Sequence, residues 1–94
     1  LTLEDVEARV ADVFIMLSED QQEDFPDEDQ RTFHTSVDDI AHWAGMSPQE
    51  CRKVLNHFAG QRRVEIYDNK IVVKNINEFR RFVNSRRKKQ RADE

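Results

Sequence analysis

Gln49, Arg52 and Lys53 follow a Ser47-Pro48 pair, and if that pair opens a helix their spacing puts all three on one face of its first turns. They offer one amide that both donates and accepts, and two cations that only donate. That set suits the edges of nucleic-acid bases in a major groove, with arginine and lysine matched to guanine and glutamine to adenine. Free backbone N–H groups and the helix dipole would favour a phosphate near Ser47. Asn56, Arg62, Arg63 and Lys70 lie further along and suit contacts to a phosphate backbone, as does Lys74, with ordinary solvated charge as the competing reading.

Other chemistries find less support. His34, His42, Cys51 and His57 lack the paired ligand spacing of a structural zinc site, so no metal is expected. Cys51 falls among the inward positions of the same helix and reads as a buried hydrophobe. No nucleophile with a base, glycine-rich phosphate loop or carboxylate pair on a common face is present, which sets an enzyme aside. A single cysteine cannot form an internal disulfide and suits a reducing compartment, so the expected location is the cytoplasm. No apolar run approaches the roughly 18 to 20 residues that span a bilayer.

The elements that would position the base-reading set are written around it. Thr35 or Ser36 can cap a first helix, with Asp38 or Asp39 three residues on and Val37, Ile40, Ala41 and Ala44 inward. Gly45 ends that helix, where a positive φ is cheapest. Ser47 then caps a second, with proline at its first position and Glu50 completing a capping box, a structural role preferred over base contact. Cys51, Val54, Leu55 and Phe58 form its inner stripe and Gly60 stops it. Two helices joined by a glycine turn, the second polar on its outer face, make a helix-turn-helix.

Upstream, Leu3, Val6, Val10, Val13 and Leu17 mark one amphipathic helix from about Thr2 to Ser18. From Glu19 to Gln30 seven acids, a proline and one large apolar residue, Phe25, read as an exposed loop. Arg31 to Thr35 could be one strand. Downstream, Val64–Tyr67 and Ile71–Lys74 form a hairpin through Asp68-Asn69, which tolerate positive φ. A last helix starts near Asn75 or Asn77 and buries Ile76, Phe79, Phe82 and Val83. It runs into the basic stretch Arg86 to Arg91, whose charges suit a helix C-terminus. Trp43 reads as a packing residue.

Ninety-four residues make one domain. The net charge of −4 hides an asymmetry: residues 1–50 carry 14 acids and 2 bases, whereas residues 51–94 carry 5 acids and 13 bases. A cationic half beside an anionic half can orient the molecule on a polyanion.

In pattern and order these residues resemble the cyclic-AMP receptor protein and fumarate-nitrate regulator superfamily of bacterial transcription factors. LTLEDVEARVADVFIMLS looks like the helix after that family's hinge, DDIAHWAGMSPQECRKVLNHF like its helix-turn-helix, and VEIYDNKIVVKN like its terminal hairpin. The family's recognition helix reads serine, a variable residue, glutamate, threonine, a β-branched residue, a small residue, then arginine. Ser47, Pro48, Gln49, Glu50, Cys51, Arg52 and Lys53 stand in those places. Gln49 and Lys53 replace the acid and the arginine, so a different half-site is implied.

The resemblance implies an upstream β-roll sensor and a dimerisation helix outside these residues, with any effector bound there and no cofactor in this domain. It also implies a homodimer on palindromic double-stranded DNA, its half-sites one helical turn apart, ~34 Å, and RNA polymerase as a partner of the acidic loop, whose composition by itself reads first as solubility. The expected fold is a small, mainly helical α/β winged helix-turn-helix over residues 1–94, with the recognition helix at about 48–59, the wing at about 64–74 and an added C-terminal helix at about 76–90. The expected function is sequence-specific DNA binding inside a transcription regulator. The alternative is a winged-helix module that docks proteins.

Overall fold

Capping side chains and apolar stripes set the helices, a stop closes each of the two central ones, and short β-rich runs fill the spaces between. The chain runs α1 (Leu3–Asp20), β1 (Arg31–Phe33), α2 (Val37–Ala44), α3 (Pro48–Gly60), β2 (Val64–Ile66), β3 (Ile71–Val73) and α4 (Ile76–Ala92). The computed structural model describes residues 2–20 and 29–92, with side chains through Arg86. The acidic stretch expected to be a loop therefore splits: Glu19 and Asp20 close α1, and residues 21–28, Phe25 included, lie outside the described residues.

The apolar stripe of α1 is wider than the step of three and four suggested. Val6, Val10 and Val13 are buried as expected, and Ala11 and Phe14 join them at 0% exposure. Leu3, expected inward, is 58% exposed on the first turn, where none of the described residues covers it. Phe14 organises the centre of the molecule. It stacks on Phe33 of β1 at 5.9 Å and meets Phe79 of α4 at 5.5 Å, while Phe79 also meets Phe58 of α3 edge-on at 5.0 Å. Such ring pairs contribute about 0.5–1.5 kcal/mol each beyond their burial, so one chain of rings ties together α1, the sheet, α3 and α4.

The expected lone strand pairs with the wing. β3 lies between β1 and β2, antiparallel to both, with Phe33 opposite Ile71 and Ile66 opposite Ile71 on the other side. Its middle position accounts for the burial of all three of its residues, Ile71, Val72 and Val73, whereas an alternating pattern would mark a strand with one wet face. The wing therefore rests on a third strand that anchors it to the body.

Two turns differ from expectation. Gly60 does not stop α3 with a positive φ; it is the helix's last residue, and Arg62 adopts φ 62° instead. The Arg62 N–H donates to Ala59 O and the Arg63 N–H to Phe58 O, both at 3.0 Å, which is the paired closure of a Schellman motif with arginine where glycine is usual. At the hairpin, neither Asp68 nor Asn69 has positive φ, since Arg62 holds the left-handed conformation alone among described non-glycine residues. The turn closes through the Tyr67 N–H donating to Lys70 O at 2.9 Å.

The last helix is fastened along its length. The Asn75 side chain accepts from the Asn77 N–H at 3.0 Å and the Ile76 N–H donates to Asp29 O, so the start is capped within one residue of the expected position. Ile76, Phe79 and Val83 are buried and Phe82 is half-buried, as their spacing predicted. The helix packs along α1. Its Arg80 reaches Ser18 Oγ at 3.2 Å, and Arg86 bridges Asp5 at 2.6 Å and Glu4 at 3.6 Å. Arg86, read as offsetting the helix C-terminus in preference to contacting DNA, is thus a tertiary clamp on the start of α1.

Candidate nucleic-acid interface

The turn between α2 and α3 sets the presentation of everything that follows. Ser36 caps α2 by accepting from the Asp39 N–H at 3.2 Å, and Gly45 ends it at φ 71°. Only glycine enters that left-handed region without a Cβ penalty. Its N–H and that of Met46 close on His42 O and Ala41 O. Ser47, extended at φ −71° and ψ 152°, then accepts from the Glu50 N–H at 3.2 Å, and Pro48 begins α3. The serine half of the capping box is present as read, and Glu50 is exposed.

The inward stripe of α3 locks its rotation. Cys51, Val54, Leu55 and Phe58 are at most 2% exposed, so the opposite face is fixed outward with no freedom to roll. Burial pushes the Cys51 thiol up to about 11, with the nearby Asp38 carboxylate adding to the effect and Arg52 opposing it. It is an inert packing group in this setting, as read from its position.

On the outward face Gln49, Arg52, Lys53 and Asn56 are all exposed, at spacings that form a single stripe down the helix. None of their side chains makes a hydrogen bond or ion pair with the described residues. Ser47 is exposed at the head of the stripe. His57, next on that side, is spoken for: its Nε2 lies 3.5 Å from Glu7 of α1 and 3.3 Å from Gln61. The free polar stripe therefore ends after two turns.

The flanking cations divide. Arg62 and Lys70 are exposed, Arg62 at the helix end and Lys70 on the hairpin with its ammonium 4.9 Å from the centre of the Tyr67 ring. Arg63 turns toward the body and pairs with Glu78 of α4 at 3.7 Å. Lys74 pairs with Glu65 across the wing at 2.9 Å, which holds the Glu65 carboxyl below its usual value. Among the described residues, Arg62 and Lys70 thus have no ion pair with a carboxylate.

Two features escaped the reading of the sequence. A polar cleft of about 240 Å³ opens between the start of α2, the recognition stripe and the hairpin tip, lined by Ser36, Val37, Asp38, Arg52, Tyr67 and Asp68 among others. Trp43, expected to pack, is 48% exposed and with Met16, 47% exposed, borders a shallow groove between α1 and α2. Period alone places Trp43 only on the first helix of the motif; whether α1 is long enough to cover it is a tertiary matter. Among the described residues no group of His, Cys, Asp and Glu is arranged to hold a metal ion, and no helix is long and apolar enough to cross a membrane.

The architecture is two capped helices joined by a left-handed glycine and backed by a three-stranded wing. No curated protein matches the chain at a significant level. A profile of the Crp-like helix-turn-helix domain matches residues 8–82, from the second turn of α1 through the wing into α4. The chain belongs to the Crp-like helix-turn-helix family and is a DNA-binding domain of a transcription regulator.

Proposed function

We propose that this domain reads double-stranded DNA in a sequence-specific way, as the C-terminal part of a regulator of the cyclic-AMP receptor and fumarate-nitrate type. The observation that carries the reading is the outward stripe of α3: Gln49, Arg52 and Lys53 are exposed and have no partner among the described residues, on a helix whose rotation is fixed by four buried residues. Displayed side chains with unspent hydrogen-bonding capacity are what base edges require. Gln49, Arg52 and Lys53 meet base edges, and Ser47, Asn56, Arg62, Arg63 and Lys70 meet the phosphate backbone. Arg63 does so while keeping, or exchanging, its exposed pair with Glu78.

The longer regulator is a cytoplasmic homodimer on a palindromic operator. Its sensor and dimerisation helix precede these residues, so this domain carries no cofactor, and its mechanism is positional rather than enzymatic. The acidic segment after α1 serves as a contact for RNA polymerase. Its charge supports that role, because it is segregated from the cationic half that engages DNA.

Selection of bound duplexes from a random pool by the full-length regulator tests this reading. A symmetric motif is expected, with log K falling by about 0.9 per phosphate contact per decade of salt. The rival, a protein-docking module, draws support from the exposed Trp43–Met16 groove. It predicts no enriched sequence and a shallow salt slope.

A further inference from the structure

Arg52 occupies a position whose surroundings differ from those of its neighbours on the stripe. Gln49, Lys53 and Asn56 project from the exposed face, whereas Arg52 also lines the cleft between α2 and the hairpin. Two carboxylates line that same cleft from opposite sides: Asp38 on the first turn of α2 and Asp68 at the hairpin tip. Neither side chain has a hydrogen bond or ion pair with the described residues. The contrast with the adjacent acid is informative, because Asp39 is engaged by the Thr35 hydroxyl at 3.2 Å and Glu65 by Lys74.

We infer that Asp38 and Asp68 are positioning residues for base recognition, confining the Arg52 guanidinium to the wing side of the recognition helix. The inference rests on the DNA-reading role proposed above. A guanidinium on a flexible stem samples many rotamers, and restricting it costs entropy at the moment of binding. Carboxylates on both sides of the cleft bias that ensemble before DNA arrives. At the same time they repel phosphate, so the cationic head approaches the duplex from the wing side. Their combined effect is discrimination: Arg52 reads one base step beneath the wing, and the acids raise the energy of every other placement. Two acids beside a DNA-binding face otherwise serve only to weaken binding to all sequences.

The test uses a duplex selected by the wild-type protein and a scrambled duplex of the same length and composition, with affinity for both measured at one salt concentration. Asp38→Asn and Asp68→Asn, each alone, are expected to tighten binding to the scrambled duplex, because a negative charge is removed. They are also expected to lower the ratio of selected to scrambled affinity by roughly threefold to tenfold. In an Arg52→Ala background the same replacements should still tighten scrambled binding and leave the ratio where Arg52→Ala set it. An equal change in ratio with and without Arg52 overturns the inference, as does an unchanged ratio in the wild-type background. Asp68→Asn lies on the hairpin and leaves the cap of α2 intact, so it decides the matter if Asp38→Asn weakens folding. A wild-type chain that does not distinguish the two duplexes contradicts the DNA-reading role itself, a separate result from either of these.

Discussion

On α3, Gln49, Arg52, Lys53 and Asn56 present their polar groups outward without a partner among the described residues, while on α4 Glu78, Arg80 and Arg86 are each engaged by another element. Both helices are cationic on the surface, and composition does not separate them. What separates them is the neighbour. α4 packs along the acidic α1, so its charges find carboxylates and hydroxyls close by. On the outer stripe of α3 no side chain from Gln49 to Asn56 pairs with a carboxylate of the described residues, and Asp38 and Asp68 share a cleft with Arg52. Similar residue types thus become tertiary clamps on one helix and a recognition surface on the other.

The sharpest way to break the α4 side of this contrast is to remove its anchor. Phe79→Ala deletes a ring that touches both Phe14 and Phe58 and leaves a cavity at the centre of the core. A loss of about 3–5 kcal/mol in folding stability is expected by urea titration. Next comes the α3 side. Replacing Gln49, Lys53 and Asn56 together by alanine should leave the urea midpoint within the small range of surface substitutions, about 0.5 kcal/mol each, and abolish sequence-specific binding in a fluorescence anisotropy titration. Coupled losses of folding and binding would mean that these side chains support the fold.

Arg62 tests the junction of the two regions. A left-handed L-residue costs roughly 1–2 kcal/mol relative to its preferred conformations, and glycine relieves that strain at the expense of a more flexible unfolded chain. Arg62→Gly is expected to raise the melting temperature modestly and to weaken DNA binding on all sequences alike, with a shallower salt slope. A stability loss instead would show that the arginine side chain earns its place in the fold.

The Arg86 clamp should give the smallest effect. Arg86→Ala removes a largely buried guanidinium whose two partners, Asp5 and Glu4, lie nearer solvent, and a loss well below that of Phe79→Ala is expected by urea titration. Its signature is acid dependence. The Arg86 hydrogen bond, with help from Thr2, holds the Asp5 carboxyl down to about 2 from an ordinary 3.8. A depressed carboxylate contributes stability that is fully present above its ordinary value and is lost as pH falls toward the folded-state value. Wild type should therefore lose stability between about pH 4 and pH 2 more steeply than Asp5→Asn does. Parallel curves would mean that the pair contributes nothing to the fold.

Local chemistry made the helix-turn-helix legible. Ser36, Gly45, Ser47 and Pro48 act within a few residues of themselves, and the structure has them as caps and turn where the spacing predicted. The inward stripe of α3 was equally readable, since one period decides it. Contacts across long stretches of chain were not. Nothing in Arg31-Thr32-Phe33 says that it pairs with β3 some forty residues on, and nothing near Gly60 says that the left-handed turn waits for Arg62. The burial of Phe14 escaped because its partners, Phe33 and Phe79, lie on other elements. For the same reason Trp43 was expected to pack: its exposure depends on how α1 crosses α2. At the candidate interface the residue types were legible, whereas the division between Arg62, without a carboxylate partner among the described residues, and Arg63, paired with Glu78, was set by the placement of α4.

The most direct measurement of the central claim is a titration of wild type and Lys53→Ala against a selected duplex and its single-base variants at constant salt. If the outward stripe of α3 reads bases, Lys53→Ala loses about 1–3 kcal/mol on the selected duplex and much less on the variant at one base pair, so that preference there collapses. Equal weakening on every duplex, with discrimination intact at all positions, would contradict it.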